Sequence, residues 1–246
     1  MKVKTILISQ PEPKADNSPY ADLIEKHNVK IDFVPFIHVD GVESREVRQQ
    51  KIDLSQFTSI ILTSRNAVDH FFRIAEEMRF QIPNTLKYFC QSEAVAYYLQ
   101  KYVVYRKRKI YVARRTFQDL LDIIKKHDTE KFLLPSSDVL KPAISEGLDN
   151  LGVTWKRGIF YKTVISDLSH LENVFYDVLV FFSPSGIKSL YENFPNYEQK
   201  NTKIAVFGNS TLSAAKEHGL KINIKAPTPK TPSMTKALED FIKKNN

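Results

Sequence analysis

One pattern recurs along this chain and limits what it can fold into: a short apolar segment, one or two small polar residues, then an amphipathic helix. Ile60-Ile61-Leu62 leads into Thr63-Ser64-Arg65-Asn66, after which Val68, Phe71, Phe72 and Ala75 fall at i, i+3, i+4 and i+7. Val180-Phe181-Phe182 leads into Ser183-Pro184-Ser185-Gly186, and Ile187, Leu190, Tyr191 and Phe194 repeat the spacing. Tyr88-Phe89-Cys90 leads into Gln91-Ser92-Glu93, followed by Val95, Tyr98, Leu99 and Tyr102. Each spacing makes one apolar stripe per helix. Phe117, Leu120, Leu121, Ile124 and Met234, Ala237, Leu238, Phe241 predict two more helices. Strands alternating with helices predict an α/β protein with largely parallel sheets covered on both faces.

Start signals agree with the stripes. Ser183 before Pro184 predicts an N-cap with proline at the first helical position, and Thr231-Pro232 predicts the same for the last helix. Thr116 with Asp119 predicts a capping box, Asp replacing the usual Glu or Gln.

The segments fall into two sets. Those around 60–66, 88–93 and 132–138 have counterparts at 180–186 and 204–211, and the first strand, ending Ser9-Gln10-Pro11, is a further member. This predicts two similar lobes. Val34-Pro35-Phe36 and residues 158–165 are β-rich and extended in character, so both are candidate crossings. Residues 35–165 would then form an inserted lobe and residues 1–34 with 166–246 the other, with linker segments near 34–37 and 158–165.

Composition narrows the function. Of 246 residues, 42% are hydrophobic, enough for real cores. No apolar run approaches the ~20 residues that span a bilayer, and the stretch from Met1 to Ser9 reads as a buried first strand, not a signal peptide. Cys90 is the sole cysteine, which excludes an intrachain disulfide, fits a cytoplasmic protein and reads as a core residue. The six histidines are scattered, so no metal site is expected. A net charge of +8 attracts anions: nucleic acid, membrane surfaces or acidic small molecules. The run Arg106-Lys107-Arg108-Lys109, with Arg114-Arg115 beyond it, reads as a solvated turn between two strands. Tyr102, Tyr105 and Tyr111 beside it are assigned to strand packing with Val103, Val104, Ile110 and Val112. No GxGxxG, GxxxxGK, HExxH or GxSxG motif is present, so no cofactor is expected and any catalysis would work by positioning and electrostatics.

In open parallel sheets ligands bind beyond the carboxyl ends of strands, where helix N-termini offer free N–H groups. Thr63-Ser64, Ser136-Ser137, Ser183 with Ser185, and Ser210-Thr211 would line such rims; plain helix capping is the competing explanation for each. If the rims of two lobes face one another, they suit a ligand with several carboxylates or phosphates. Each hydrogen bond to a charged group contributes roughly 1.5–3 kcal/mol.

With these residues in view, the chain resembles the uroporphyrinogen-III synthase family over nearly its whole length. The resemblance is carried by Leu62-Thr63-Ser64-Arg65-Asn66-Ala67-Val68, Phe181-Phe182-Ser183-Pro184-Ser185-Gly186 and Tyr161-Lys162-Thr163-Val164. Ile204-Ala205-Val206-Phe207-Gly208 through Thr211, and Ala226-Pro227-Thr228-Pro229 before the final helix, support it. It implies two flavodoxin-like, doubly wound lobes joined by a two-stranded linker. It also implies a lyase that cyclises the linear tetrapyrrole hydroxymethylbilane to uroporphyrinogen III with inversion of the last ring, through an azafulvene cation and a spiro intermediate. The expected partner is this polycarboxylate tetrapyrrole, bound by a monomer with no nucleic acid and no membrane. Tyr161, matching the family's linker tyrosine, is the candidate general acid, with a packed hinge aromatic as the competing explanation. Thr63, Ser64, Asn66, Ser183, Ser185 and Thr211 are candidate carboxylate binders. Arg65, Gln91, Ser92, Ser136, Ser137, Pro184, Gly186 and Ser210, from the same turns, complete the substrate-binding set.

The chain departs from the family's pattern at Cys90-Gln91-Ser92-Glu93, which puts a carboxylate at a helix start, and more mildly at Asn209 and Ser210. Two alternatives stand beside the synthase: a non-catalytic member of the same fold that senses a tetrapyrrole or other polyanion, and a nucleic-acid-associated protein acting through 106–115.

Overall fold

A computed structural model describes residues 2–13 and 18–245; Met1 of the expected first strand lies outside them. The elements in chain order are β1 (Thr5–Ile8), α1 (Pro19–His27), β2 (Lys30–Phe33), β3 (Ile37–Gly41), α2 (Ser44–Gln49), β4 (Ser59–Leu62), α3 (Arg65–Glu77), β5 (Lys87–Cys90), α4 (Glu93–Leu99), β6 (Ile110–Val112), α5 (Phe117–Ile124), β7 (Lys131–Ser137), α6 (Pro142–Leu151), β8 (Thr154–Ile165), β9 (Val178–Phe181), α7 (Pro184–Asn193), β10 (Lys203–Phe207), α8 (Asn209–Glu217), β11 (Ile222–Ala226) and α9 (Met234–Asn245). They form two compact units, Met1–His38 with Val164–Asn246, and Val39–Thr163. The chain crosses from one unit to the other within β3 and again within β8.

The first unit holds a five-stranded sheet in the order β11-β10-β9-β1-β2, with every pair parallel. Numbered within the unit, this is the 2-1-3-4-5 order of doubly wound flavodoxin-like sheets. The second unit has six strands in the order β3-β8-β7-β4-β5-β6. From β4 onward its order is 3-2-1-4-5, with β3 added at one edge. Continuous apolar strands such as Ile60-Ile61-Leu62 and Val178-Leu179-Val180-Phe181 are buried on both faces, as parallel strands require. Each sheet therefore separates two cores. Ile6, Val180 and Leu238 lie on one side of the first sheet, and Leu7, Phe181 and Ile187 on the other. Leu62, Phe71 and Leu99 lie on one side of the second, and Ile61, Leu121 and Leu134 on the other.

The predicted caps at Ser183 and Thr116 are present, the second as a full capping box with Asp119. The last helix starts later than expected. Thr231 closes a tight turn with Thr228, each N–H bonding the other's carbonyl. The cap falls instead on Ser233, whose Oγ accepts from the Lys236 N–H at 3.2 Å. The expected strand at Tyr102–Tyr105 is also absent. These residues form a loop after α4 in which Val104 is 80% exposed, so the basic run joins a helix to β6 and not two strands. Val34-Pro35-Phe36 carries no strand of its own; pairing resumes at Ile37.

Candidate active site

In the second unit the chain winds from β4 through β5 to β6 on one side, and β7 and β8 lie on the other, so the switch point falls between β4 and β7. These strands pair only at Ser59 with Phe132 and Ile60 with Leu133. Beyond that register the carboxyl end of β4 is free on its β7 side, the place where doubly wound sheets bind ligands. Thr63 and Ser64 sit there, half-buried. Ser64 is extended (φ −158°, ψ 167°) and caps α3, its Oγ accepting from the Ala67 N–H at 3.1 Å. A capping hydroxyl keeps its own proton, so it still donates. Ser64 Oγ also lies 3.2 Å from Tyr161 Oη.

A β-bulge aims that tyrosine. Along β7 and β8, Ser136 pairs with Ile159 but Ser137 pairs with Tyr161, leaving Phe160 as the extra residue. A bulge shifts the side-chain alternation, and Phe160 and Tyr161 both enter the core that α3 covers. Hydrogen bonds hold the distorted backbone. Gln50 pairs with both the N–H and carbonyl of Ile159, at 2.8 and 2.9 Å. The Phe160 carbonyl accepts from the Val42 N–H at 2.9 Å and from Arg73 at 3.1 Å. Gly158 permits the arrangement, because a β-carbon there would meet the Phe160 ring at 2.5 Å. Tyr161 is 7% exposed. Burial raises its phenol pKa, opposed by hydrogen bonds from the Ser64 side chain and the Ser137 backbone. It therefore holds its proton at neutral pH, the state of a proton donor. The His70 ring stacks on Tyr161, centroids 5.0 Å apart and 18° from parallel.

The other predicted residues of this unit divide. Asn66 and Arg65 are exposed in the first turn of α3, and the Arg65 guanidinium lies 5.5 Å from the Tyr98 ring centroid. Ser92 caps α4, Gln91 is half-buried beside it, and Glu93 is exposed in the first turn. Cys90 is fully buried, its thiol pKa pushed up to about 12 by desolvation, so it is a core group. Ser136 and Ser137 are not on a turn: β7 runs through both, and Pro135 is tolerated because the ladder to β4 has already ended. Ser136 is buried and accepts from Arg157 Nε at 2.9 Å, while Arg157 Nη2 bonds the Ser137 and Asp138 carbonyls at 2.7 Å each. Sequence reasoning passed over Arg157 and His70. The one faint signal was their spacing: His70 is six residues beyond Ser64, the cap of its helix, and Arg157 four before Tyr161 on one strand.

In the first unit the switch point lies between β1 and β9. Ser183 caps α7, accepting from the Gly186 N–H at 3.2 Å, with Pro184 in the first turn and Ser185 half-buried. A β-carbon on Gly186 would sit 3.6 Å from both Ser183 Oγ and Ser9 Oγ, so this corner gathers two hydroxyls, Ser9 being one not singled out from sequence. α8 follows Gly208, whose φ of 85° suits glycine, and no side chain caps it. Ser210 is exposed there. Thr211 is 1% exposed and its hydroxyl is buried without a partner, so that corner offers backbone N–H groups. Among the described residues no three His, Cys, Asp or Glu side chains gather as a metal-ligand set, and no helix is long and apolar enough to cross a membrane.

The sequence model of uroporphyrinogen-III synthase HemD matches residues 18–236. The chain belongs to the uroporphyrinogen-III synthase family. Solved structures of uroporphyrinogen-III synthases share the fold. The Helicobacter pylori protein aligns with a TM-score of 0.62 at 18% identity, over 98% of this chain and 99% of its own. A Thermus thermophilus mutant aligns with a TM-score of 0.56 at 16% identity, over 98% of both chains. No curated protein sequence matches. Membership gives the hydroxyl-lined carboxyl ends and the buried phenol of Tyr161 a common context, and no observation on them favours a sensor over a synthase.

Proposed function

We propose that this protein is a uroporphyrinogen-III synthase that cyclises hydroxymethylbilane to uroporphyrinogen III with inversion of the last ring, in tetrapyrrole biosynthesis. The family match over residues 18–236 carries the reaction, and the contact of Tyr161 Oη with Ser64 supports the assignment of roles. Tyr161 gives its proton to the hydroxymethyl oxygen as the C–O bond breaks with both electrons on oxygen, so that water leaves. The pyrrole nitrogen lone pair of the same ring stabilises the carbon as an azafulvene cation. That carbon bonds to the last ring, forming the spiro intermediate; after rearrangement and closure the last ring sheds a proton as it regains aromaticity, which balances the one Tyr161 gave. The candidate carboxylate binders of the second unit are Thr63, Ser64, Arg65, Asn66, Gln91 and Ser92; those of the first unit are Ser183, Ser185 and the α7 and α8 N-termini. The half-bonded hydroxyls of Ser92 and Ser183 support this, since capping leaves each a proton to donate. On this reading the enzyme acts as a cytoplasmic monomer and binds no nucleic acid.

The test is incubation with freshly made hydroxymethylbilane and separation of the type I and type III isomers. Type III is expected; type I alone, at the uncatalysed rate, overturns the enzyme reading. DNA titrated against salt checks the partner assignment, because a phosphate-tracking protein would give a steep log–log slope and this one is expected to show little binding at moderate salt.

A further inference from the structure

His70 has no part in the chemistry above, yet it forms one wall of the tyrosine's surroundings. Its ring lies parallel to that of Tyr161 within contact distance. It is itself fixed, because Arg73 Nε donates to His70 Nδ1 at 3.2 Å. One turn of α3 separates the two residues. Arg73 is pinned in turn: Nη2 donates to the Val42 carbonyl at 2.8 Å and to the Phe160 carbonyl at 3.1 Å, and Nη1 pairs with Glu77. The Phe160 carbonyl belongs to the bulged residue that sets the direction of Tyr161. Arg73 therefore holds both the backbone before the tyrosine and the ring that faces it.

The hydrogen bond also fixes the charge of His70. A guanidinium has no acceptor, so Nδ1 must be the acceptor and the imidazole proton must sit on Nε2. The charged groups around His70 are Arg73, Asp69 and Glu77. Burial and Arg73 lower its pKa, while Asp69 and Glu77 oppose them. A neutral plate therefore backs the phenol.

We propose that His70, held neutral and flat by Arg73, is a positioning residue that fixes the Tyr161 hydroxyl for proton donation, an inference that rests on the reading of Tyr161 above. The clamp has a remote handle at Gly41, where a β-carbon would fall 2.7 Å from the Arg73 guanidinium carbon and from Nη2. That guanidinium has little freedom to retreat, because four protein groups, His70, Glu77 and the Val42 and Phe160 carbonyls, already hold it.

The experiment is a double-mutant cycle on turnover with H70A and Y161F, with H70F and G41A as companions. H70A is expected to lower kcat by between about 10- and 100-fold, the scale of a misplaced catalytic group, with KM within about twofold. In the Y161F background H70A is expected to cause no further loss, because its effect runs through the missing hydroxyl. H70F restores a flat ring and should recover part of the kcat lost in H70A; G41A should lower kcat without touching substrate groups. Equal losses from H70A in both backgrounds, or none in the wild type, overturn the proposal. An undiminished Y161F is a different failure and sinks the reading of Tyr161 itself. If H70A does not fold, the comparison of H70F and G41A with and without Y161F decides the matter by the same rule.

Discussion

At the scale of single residues, capping and chemistry share one atom at Ser64, and substitutions can separate them. Ser64→Ala removes the cap of α3, which costs about 1 kcal/mol, and the hydroxyl beside Tyr161. Ser64→Asp retains a good N-cap but sets a carboxylate where substrate carboxylates are to bind, next to the phenol. The expected outcome is a melting temperature near wild type for Ser64→Asp, with kcat/KM reduced more than about tenfold. If thermal melts and kinetics fall together in both variants, Ser64 is a cap alone. Tyr161→Phe keeps the ring and its stacking on His70, so stability should hold while kcat drops by about 10²-fold or more, the usual worth of a positioned acid. An unchanged kcat would assign the departing proton to another donor. Glu93 gives a third comparison. It is exposed in the first turn of α4, where a carboxylate is favourable for the helix but unfavourable for an anionic ligand. Glu93→Thr should lower KM with little change in melting temperature, and an unchanged KM would place the substrate away from that turn.

Among elements, the bulge in β8 decides where the chemistry points, and Gly158 is its weak place. A methyl group there would lie 2.5 Å from the Phe160 ring and 2.8 Å from Ile52, an overpacking that costs about 1–3 kcal/mol. Gly158→Ala should therefore lower the urea midpoint and depress kcat at temperatures where the protein remains folded. Full activity on the destabilised fold would show that the bulge does not hold Tyr161. The same bulge marks the limit of what was legible in the sequence. Helices were readable because the stripe of Val68, Phe71 and Ala75, or of Leu120, Leu121 and Ile124, is a local property of consecutive residues. Turn hydroxyls were readable as caps for the same reason. The extra residue at Phe160, the run of β7 through Pro135 and the stacking of His70 are set by pairing between segments far apart in sequence, which no local period records. Tyr102 shows the converse: at the right spacing for α4, it lies beyond the helix end and gives its hydroxyl to Asp69 of α3.

For the molecule as a whole, two units with separate cores need not share one pH dependence. The alternation of strand and helix made two doubly wound sheets legible, but their strand orders differ: the second unit lays β5 and β6 beside β4 before it switches sides, the first only β2 beside β1, and β3 joins the edge of the second sheet alone. The histidines whose pKa values are depressed, His70 and His127, both belong to the second unit. Burial lowers both, with Arg73 adding to the effect at His70 and Lys87 at His127, against opposing carboxylates. A histidine depressed in the folded state binds fewer protons there than when unfolded. Its contribution to stability is therefore complete above the unfolded value of 6.5 and is lost as pH falls from there to the folded pKa. Each can tilt stability by at most about 1.4 kcal/mol per pH unit in that window. Trp155, the only tryptophan of the chain, lies in β8 with its Nε1 bonded to Asp149 at 2.9 Å, so its fluorescence reports the second unit. Between pH 7.5 and 5.5 the urea midpoint seen by tryptophan fluorescence should fall further than the midpoint seen by far-ultraviolet circular dichroism, which averages both units. Combined His70→Phe and His127→Phe substitutions should remove most of that fall, because neither phenylalanine takes up a proton on unfolding. A fluorescence midpoint that still drops in the double variant would place the acid sensitivity outside these two histidines, and not in Asp119 or Glu130, whose folded pKa values are lowered and whose window lies below the range measured.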